Sequence, residues 1–165
     1  MEDTQKQTIL VVEDNENTSR LLETILRSAG YEVTRAPDAE EGLRILDSDA
    51  PVDLILLDLF LPGADGMQFL RLRSEMDPDR QPPVIVVSAT EDMDTLRPQL
   101  RELGAKLALR KPFDVQELLD GVSRYANKRT AKAVAPAAAA AAPAAVAPAP
   151  KASRAKAKGK SASKS

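Results

Sequence analysis

Residues 1–127 predict an α/β domain in which helices cover both faces of a parallel sheet, and residues 128–165 predict a disordered extension. Three observations carry this. Ile9–Val12, Leu54–Leu57 and Val84–Val87 are runs of branched aliphatics with no polar member. Such runs suit strands buried on both faces, where the alternation of a half-exposed strand is lost. Between them lie stretches with apolar residues at helical spacing, so the order is strand, helix, strand, helix. Near Lys128 the composition then changes abruptly.

Taken in order, the Ile9–Val12 run is followed by Leu21, Leu22, Ile25 and Leu26 at helical spacing, with Gly30 as a stop. Tyr31–Arg35 is a weaker strand candidate. Asp38 is a good N-cap for a helix presenting Ala39, Leu43 and Leu46, and Asp65 plays the same part before Met67, Phe69 and Leu70. After Val84–Val87, the residues Leu96, Leu100 and Leu103 define a fourth helix that ends at Gly104. Pro98 falls inside that pattern. An interior proline costs ~3 kcal/mol or more, whereas one in the first turn costs little. Regular helix is therefore expected to start with Thr95 as N-cap, after a lengthened loop over residues 91–94. Leu107–Leu109 is a weak fifth strand, and Asp114 with Glu117 reads as a capping box ahead of Leu118, Leu119 and Val122. The sum is five β–α units, enough to bury one adequate core.

The chain has 165 residues and contains neither Cys nor His. That excludes serine–histidine triads, thiol nucleophiles, zinc ribbons, iron–sulfur clusters, phosphohistidine carriers and disulfides. The lack of Cys suits a reducing cytoplasm. Aromatics are 3% of the chain, too few for base- or sugar-stacking platforms. The acidic start, Met-Glu-Asp-Thr, reads as neither a secretory signal nor a transit peptide. Residues 1–127 hold 14 Lys and Arg against 25 Asp and Glu, a net charge of −11, while residues 128–165 hold nine basic residues and no acid. This asymmetry suggests a folded acidic domain, residues 1–127, joined to a basic tail. Residues 133–150 consist of Ala, Pro and Val alone. Although long enough for a membrane span, they are too weakly apolar and too rich in proline to form one, and they read as a linker. Beyond it, residues 151–165 carry six basic residues and no acid, and are expected to be disordered.

In open α/β sheets, ligands sit at the carboxyl ends of the strands. Glu13 and Asp14 close the first predicted strand, Asp58 the third, Ser88-Ala89-Thr90 the fourth and Lys111-Pro112 the fifth. If these ends converge, three carboxylates share a pocket with one lysine. Like charges so crowded need a cation to compensate them, and a hard, oxygen-liganded Mg²⁺ is the natural one. The set suits phosphoryl transfer onto a carboxylate. Asp58 is the nucleophile candidate because it closes the most apolar strand. Glu13 and Asp14 would hold the metal, while Lys111 and the Ser88 hydroxyl would meet phosphoryl oxygens. Each residue also has a plainer reading. An Asp after a buried strand is often a turn residue or cap, Glu13 can reach a metal through water, and Ser88 can be a strand-end hydrogen bond. Pro62 and Gly63 are turn formers first. No GxGxxG or GxxxxGK[ST] string occurs, so nucleotide binding of those kinds has no support.

The strings ILVVED, VDLILLDLFLPGADG, VIVVSAT and LRKPF resemble, in order and spacing, those of response-regulator receiver domains of two-component signalling. The likeness covers residues 7–126. It implies a flavodoxin-like sheet of order 2-1-3-4-5. It implies phosphorylation of Asp58 by a histidine kinase or phosphotransfer protein, with Mg²⁺ on Glu13, Asp14, Asp58 and the Phe60 backbone carbonyl. The backbone of Ala89 would contact the phosphoryl group, and the Lys111–Pro112 bond would be cis. Receiver domains tune the approach of the hydrolytic water two residues past the acceptor and two past the strand-four hydroxyl, here Phe60 and Thr90. Phe60 cannot orient a water, which implies a long-lived phosphoryl group. Family members usually carry an aromatic where this chain has Ala108, and it turns inward as the strand-four hydroxyl moves. Ala108 cannot do this, and with Pro98 it makes the face of the fourth helix, fifth strand and fifth helix unusual.

The function these readings imply is a phosphorylation-controlled receiver that acts by binding a downstream protein, without enzymatic activity beyond its own phosphorylation and dephosphorylation. Two alternatives concern the tail. It could bind DNA or another polyanion without sequence preference, or it could be a spacer on a docking module.

Overall fold

Strand runs without a polar member must be buried on both sides, and the fold provides this. The computed structural model describes residues 5–63 and 65–130. Five β–α units follow one another: β1 (Thr8–Val12), α1 (Glu16–Ser28), β2 (Glu32–Ala36), α2 (Ala39–Asp47), β3 (Leu54–Leu57), α3 (Gly66–Ser74), β4 (Val84–Ser88), α4 (Met93–Glu102), β5 (Ala105–Arg110) and α5 (Val115–Thr130). The strands form one sheet of order β2-β1-β3-β4-β5, and every pairing is parallel. This is the flavodoxin-like arrangement. Alternate residues of one strand feed opposite cores. Leu10 and Val12 pack with Phe69, Leu70 and Leu100 under α2, α3 and α4. Ile9 and Val11 pack with Leu22, Leu26, Leu118 and Val122 under α1 and α5.

Four helices start on side-chain caps. Asn15, Asp38 and Asp65 accept the backbone N–H groups of Thr18, Glu41 and Gln68 at 3.0, 2.8 and 2.7 Å. Asp114 accepts those of Gln116 and Glu117 at 2.7 and 3.2 Å. Strand β2 lies one residue later than its apolar pattern suggests, and β5 extends two residues earlier and one later. Leu21, expected on the apolar face of α1, is exposed, and the buried residues there are Ser19, Leu22 and Leu26. A 3-10 turn at Pro78–Arg80, which the sequence did not predict, precedes β4.

The fourth helix corrects the sequence reading. It begins at Met93 with Asp92, not Thr95, as N-cap, and Pro98 lies inside the helix. Residues 91–92 form a short turn rather than a lengthened loop. Met93 is the reason. It is buried in the same core as Leu100, against which Leu96 also packs, and burying a Met side chain is worth about 1.5–3 kcal/mol. That is comparable to the ~3 kcal/mol penalty of an interior proline. Pro98 is exposed, on the side where water can serve a carbonyl left without its helical partner.

Arg73, at the end of α3, is buried, and donates from Nε and Nη2 to the Pro82 carbonyl at 3.0 and 2.6 Å. It thereby ties α3 to the entry of β4. Burial pushes its pKa down to about 10, so it stays charged at neutral pH. Gly104 makes room for it. A Cβ there would stand 2.8 Å from Arg73 Nη1, and the glycine's φ of +95° disfavours any side chain.

Helix α5 runs to Thr130, three residues past the point where composition ends the acidic region. The linker and tail readings fall on residues 131–165 and lie outside the described residues.

Candidate functional site

Parallel pairing brings the carboxyl ends of β1, β3 and β4 side by side, and the acids the sequence singled out meet there. One carboxylate oxygen from each of Glu13, Asp14 and Asp58 can be chosen so that all lie within 4.8 Å of one another. Glu13 and Asp58 are 4% and 7% exposed, whereas Asp14 opens to solvent. The chain after β5 delivers the one cation found there among the described residues. Lys111 Nζ lies 2.6 Å from Glu13 Oε2 and 3.0 Å from Asp58 Oδ2. Its backbone N–H donates to the Ser88 carbonyl at 2.8 Å, which joins β4 to the same cluster. The Lys111–Pro112 peptide is cis.

The second oxygen of each buried acid is also held. Glu13 Oε1 accepts the Asn15 N–H at 3.1 Å, and Asp58 Oδ1 accepts the Phe60 N–H at 3.0 Å. Asn15 therefore both caps α1 and anchors Glu13, a double role the sequence reading missed. The same is true of Gly66. A Cβ at that position would stand 2.5 Å from the Asp58 carbonyl oxygen and 2.7 Å from Leu59 Cα, so only glycine lets α3 start this close to the acid. The Gly after a capping Asp was the available signal.

Burial sets the electrostatics. Desolvation pushes the Glu13 carboxyl above its ordinary value, against the opposing hydrogen bonds from Lys111 and Asn15, and the neighbouring Asp58 charge adds to the rise. Burial also works against the charge on Lys111. Its bonds to Glu13 and Asp58 outweigh that, and its pKa is raised. Three carboxylates against one ammonium leave an excess of negative charge that a hard divalent ion would neutralise. Ser88 adds a second observation that fits an oxygen-rich ligand. It is fully buried, and its Oγ is the one buried side-chain polar atom among the described residues without a hydrogen-bond partner. An orphaned hydroxyl of this kind costs roughly 1–3 kcal/mol, so it fits a site that binds an oxygen-rich group. Ala89 and Phe60 are exposed beside the cluster, Phe60 at 61%. Thr90 is buried, and its Oγ1 accepts the Asp92 N–H at 3.2 Å.

The donor set is therefore all oxygen, with one amine and one free hydroxyl, which suits Mg²⁺ and a phosphoryl group. Comparisons with known proteins agree. The response regulator receiver domain family matches residues 9–123. Sporulation initiation phosphotransferase F of Bacillus subtilis (strain 168) is 33% identical over 117 residues, covering 71% of this chain and 91% of that protein. A probable transcriptional regulator, ycf27 of Porphyridium aerugineum, is 40% identical over 115 residues, 69% of this chain and 45% of its own length. The chain thus spans about half of that regulator. Among solved structures, a putative response regulator from Chloroflexus aurantiacus J-10-fl superposes with a TM-score of 0.67 at 33% identity, covering 74% of this chain and 98% of that one. The receiver domain of sensor histidine kinase PA1611 from Pseudomonas aeruginosa PAO1 was solved with a magnesium ion coordinated in its active-site cleft. It gives a TM-score of 0.65 at 32% identity, with 74% and 98% covered. Among the described residues, no helix is long and apolar enough to cross a membrane. With the family's match over most of the chain and the fold and acidic cluster in place, this chain belongs to the response regulator receiver domains of two-component systems.

Proposed function

We propose that residues 1–127 form a phosphorylation-controlled receiver that takes a phosphoryl group onto Asp58 from a histidine kinase or phosphotransfer protein in the cytoplasm, and that its output is binding of a downstream protein. The observation that carries this is the buried Asp58 carboxylate, grouped with Glu13 and Asp14 and paired with Lys111 at 3.0 Å. In the reaction an Asp58 oxygen forms a bond to phosphorus as the bond from phosphorus to the donor nitrogen breaks, and the electron pair leaves with the donor imidazole. Glu13, Asp14, Asp58 and the Phe60 carbonyl would hold Mg²⁺, which when bound supplies counter-charge for the phosphoryl oxygens. Lys111, paired with Glu13 and Asp58, would offset further negative charge on the phosphoryl group. The Ser88 hydroxyl, buried and without a partner, and the Ala89 backbone N–H would donate to those oxygens. Nothing in this chemistry acts on a further substrate, so the protein is a phosphoacceptor and not an enzyme in the ordinary sense. Incubation with Mg²⁺ and a small phosphodonor should add one acid-stable, base-labile phosphoryl group, read by intact mass. Absence of labelling with and without Mg²⁺ would defeat the proposal.

Dephosphorylation should be slow. Phe60, whose N–H donates to Asp58 Oδ1, is 61% exposed, and its side chain has no group to orient an attacking water. Phe60→Asn should accelerate phosphoryl loss about tenfold, the equivalent of one positioned hydrogen bond of ~1.4 kcal/mol. An unchanged half-life would refute this role.

The charge of residues 151–165 favours a second, additional reading, in which the tail binds polyanions. Six cations with no acid among them would give duplex DNA binding a log–log salt slope approaching about −5. Full-length protein, a chain ending at Asn127 and the isolated tail should be compared across a salt series. Equally weak binding by all three would leave the tail a spacer.

A further inference from the structure

We propose that a recess at the end of the sheet opposite the acid cluster binds a small, singly charged organic carboxylate, held by the guanidinium of Arg73. This second site stands whether or not Asp58 is phosphorylated. The recess is bordered by Pro83, just before β4, and by Gly104, just before β5. Because β4 and β5 run parallel, it lies at their amino ends, away from the acids at the carboxyl ends. It measures about 480 Å³, within the roughly 300–1,000 Å³ of small-molecule sites.

Arg73 supplies the charge and the geometry. It is 4% exposed, and among the described residues no acid pairs with it. A cation taken out of water in this way is costly until an anion meets it. A guanidinium has five N–H donors. The Nε and Nη2 edge is spent on the Pro82 carbonyl, at 3.0 and 2.6 Å. The other edge, made of Nη1 and the second N–H of Nη2, is left over, and its two parallel donors match the two oxygens of a carboxylate. Nη1 makes no hydrogen bond among the described residues. It is not sealed in either, since Ser88 Oγ is the one enclosed side-chain polar atom there without a partner. Nη1 therefore borders accessible space, and the space that Arg73 lines is this recess. Gly104 keeps it clear, because a Cβ there would stand 2.8 Å from Nη1.

The other lining residues set the class of ligand. Pro78, Pro83 and Leu103 give apolar wall, and a bare ion would leave most of the volume unfilled, so the carboxylate needs an organic body. Lys106 adds a second cation. The register steps from Val84↔Ala105 to Ile85↔Leu107, which makes Lys106 the extra residue of a bulge, a device that re-aims a side chain. Asp79 and Glu102 also line the recess. Two cations are thus matched by two acids, so one added negative charge is accommodated, whereas a polyphosphate would be repelled. The basic tail is no substitute, because residues 151–165 carry six cations and no acid.

The test uses the full isotope-labelled chain, with naphthoate as the probe, its neutral analogue naphthamide as the control and inorganic phosphate as the bare anion. Two-dimensional amide NMR spectra are read at Ser74 and Gly104, both of which line the recess. Naphthoate should shift the two amides saturably. Naphthamide and phosphate should each bind about tenfold more weakly, the first for want of the charged pair and the second for want of an apolar body. Arg73→Met should abolish the saturable shift, and a circular dichroism melt checks that this variant is folded. If it is not, Lys106→Glu decides. That lysine is exposed, and reversing its charge should weaken naphthoate about tenfold. The absence of any saturable shift at the two amides overturns the proposal. Equal affinity for naphthoate and naphthamide does so too, because the recess would then be an apolar slot. Equal affinity for phosphate overturns the organic class. Shifts that persist in folded Arg73→Met, or an unchanged affinity in Lys106→Glu, would place the anion elsewhere, with the basic tail the first alternative, and overturn it as well.

Discussion

Asp58→Asn should abolish phosphoryl gain from a small phosphodonor while the protein stays folded. On the proposed function the carboxylate is the nucleophile, and an amide in its place is too weak a one to attack phosphorus. The substitution is close to isosteric, and the amide oxygen can still accept the Phe60 N–H that Asp58 Oδ1 accepts at 3.0 Å. Lys111 keeps its 2.6 Å pairing with Glu13. The local repulsion also falls, because the Asp58 charge is one of the causes that raise the Glu13 pKa. Loss of labelling therefore cannot be put down to collapse of the site, and a far-UV circular dichroism melt of the variant checks this directly. Unchanged labelling would place the acceptor on another residue. Glu13 would be the first suspect, since it is the other buried acid of the cluster.

The sequence revealed most where an element announces itself by chemistry of its own. Strand β3 is read to the residue, because Leu54–Leu57 is flanked by Asp53 and Asp58 and nothing blurs its ends. The helices capped by Asp38, Asp65 and Asp114 are legible for the same reason, since the capping carboxylate is itself the signal. Helix α4 is not legible in this way. Asp92 makes no side-chain cap bond, and the start is fixed by burial of Met93 against a core assembled from other elements. Strand β5 is blurred by the bulge at Lys106, which breaks its alternation. The site divides along the same line. Acids at strand ends mark themselves in the sequence. That Lys111 would bridge Glu13 and Asp58, that Asn15 would hold the far oxygen of Glu13, and that Gly66 would clear the space beside Asp58 all depend on which strands are neighbours. Arg73 was invisible because its compensating partner is a backbone carbonyl, Pro82, and not an acid.

Lys111→Met should lower stability at neutral pH, measured without divalent ions, by about 1–3 kcal/mol. Among the described residues, Lys111 Nζ is the only cation within bonding distance of the two buried acids, at 2.6 Å from Glu13 and 3.0 Å from Asp58. Methionine preserves most of the stem's packing, so the change isolates the charge. Two nearly water-free carboxylates would then face each other with one backbone N–H apiece. Breaking a fully buried pair can cost about 3–5 kcal/mol. The smaller figure is expected because the lysine side chain is 20% exposed and water can enter where it stood. The deficit should depend on pH with a definite sign. The Glu13 pKa is already raised in the fold by desolvation, and loss of Lys111 removes a cause that lowers it. Folding then favours the protonated acid. The contribution of that proton is present below the ordinary glutamate value of 4.5 and is lost as pH rises through the raised value. The variant should therefore approach the parent in stability as pH falls toward 4.5 and diverge from it toward neutrality. Urea denaturation midpoints at matched pH measure the gap. Mg²⁺ should narrow it at neutral pH, because a bound cation stabilises the folded state by mass action and replaces part of the missing positive charge. A Lys111→Met protein as stable as the parent at neutral pH, with no response to acidification, would mean that the cluster is wet enough to do without its lysine.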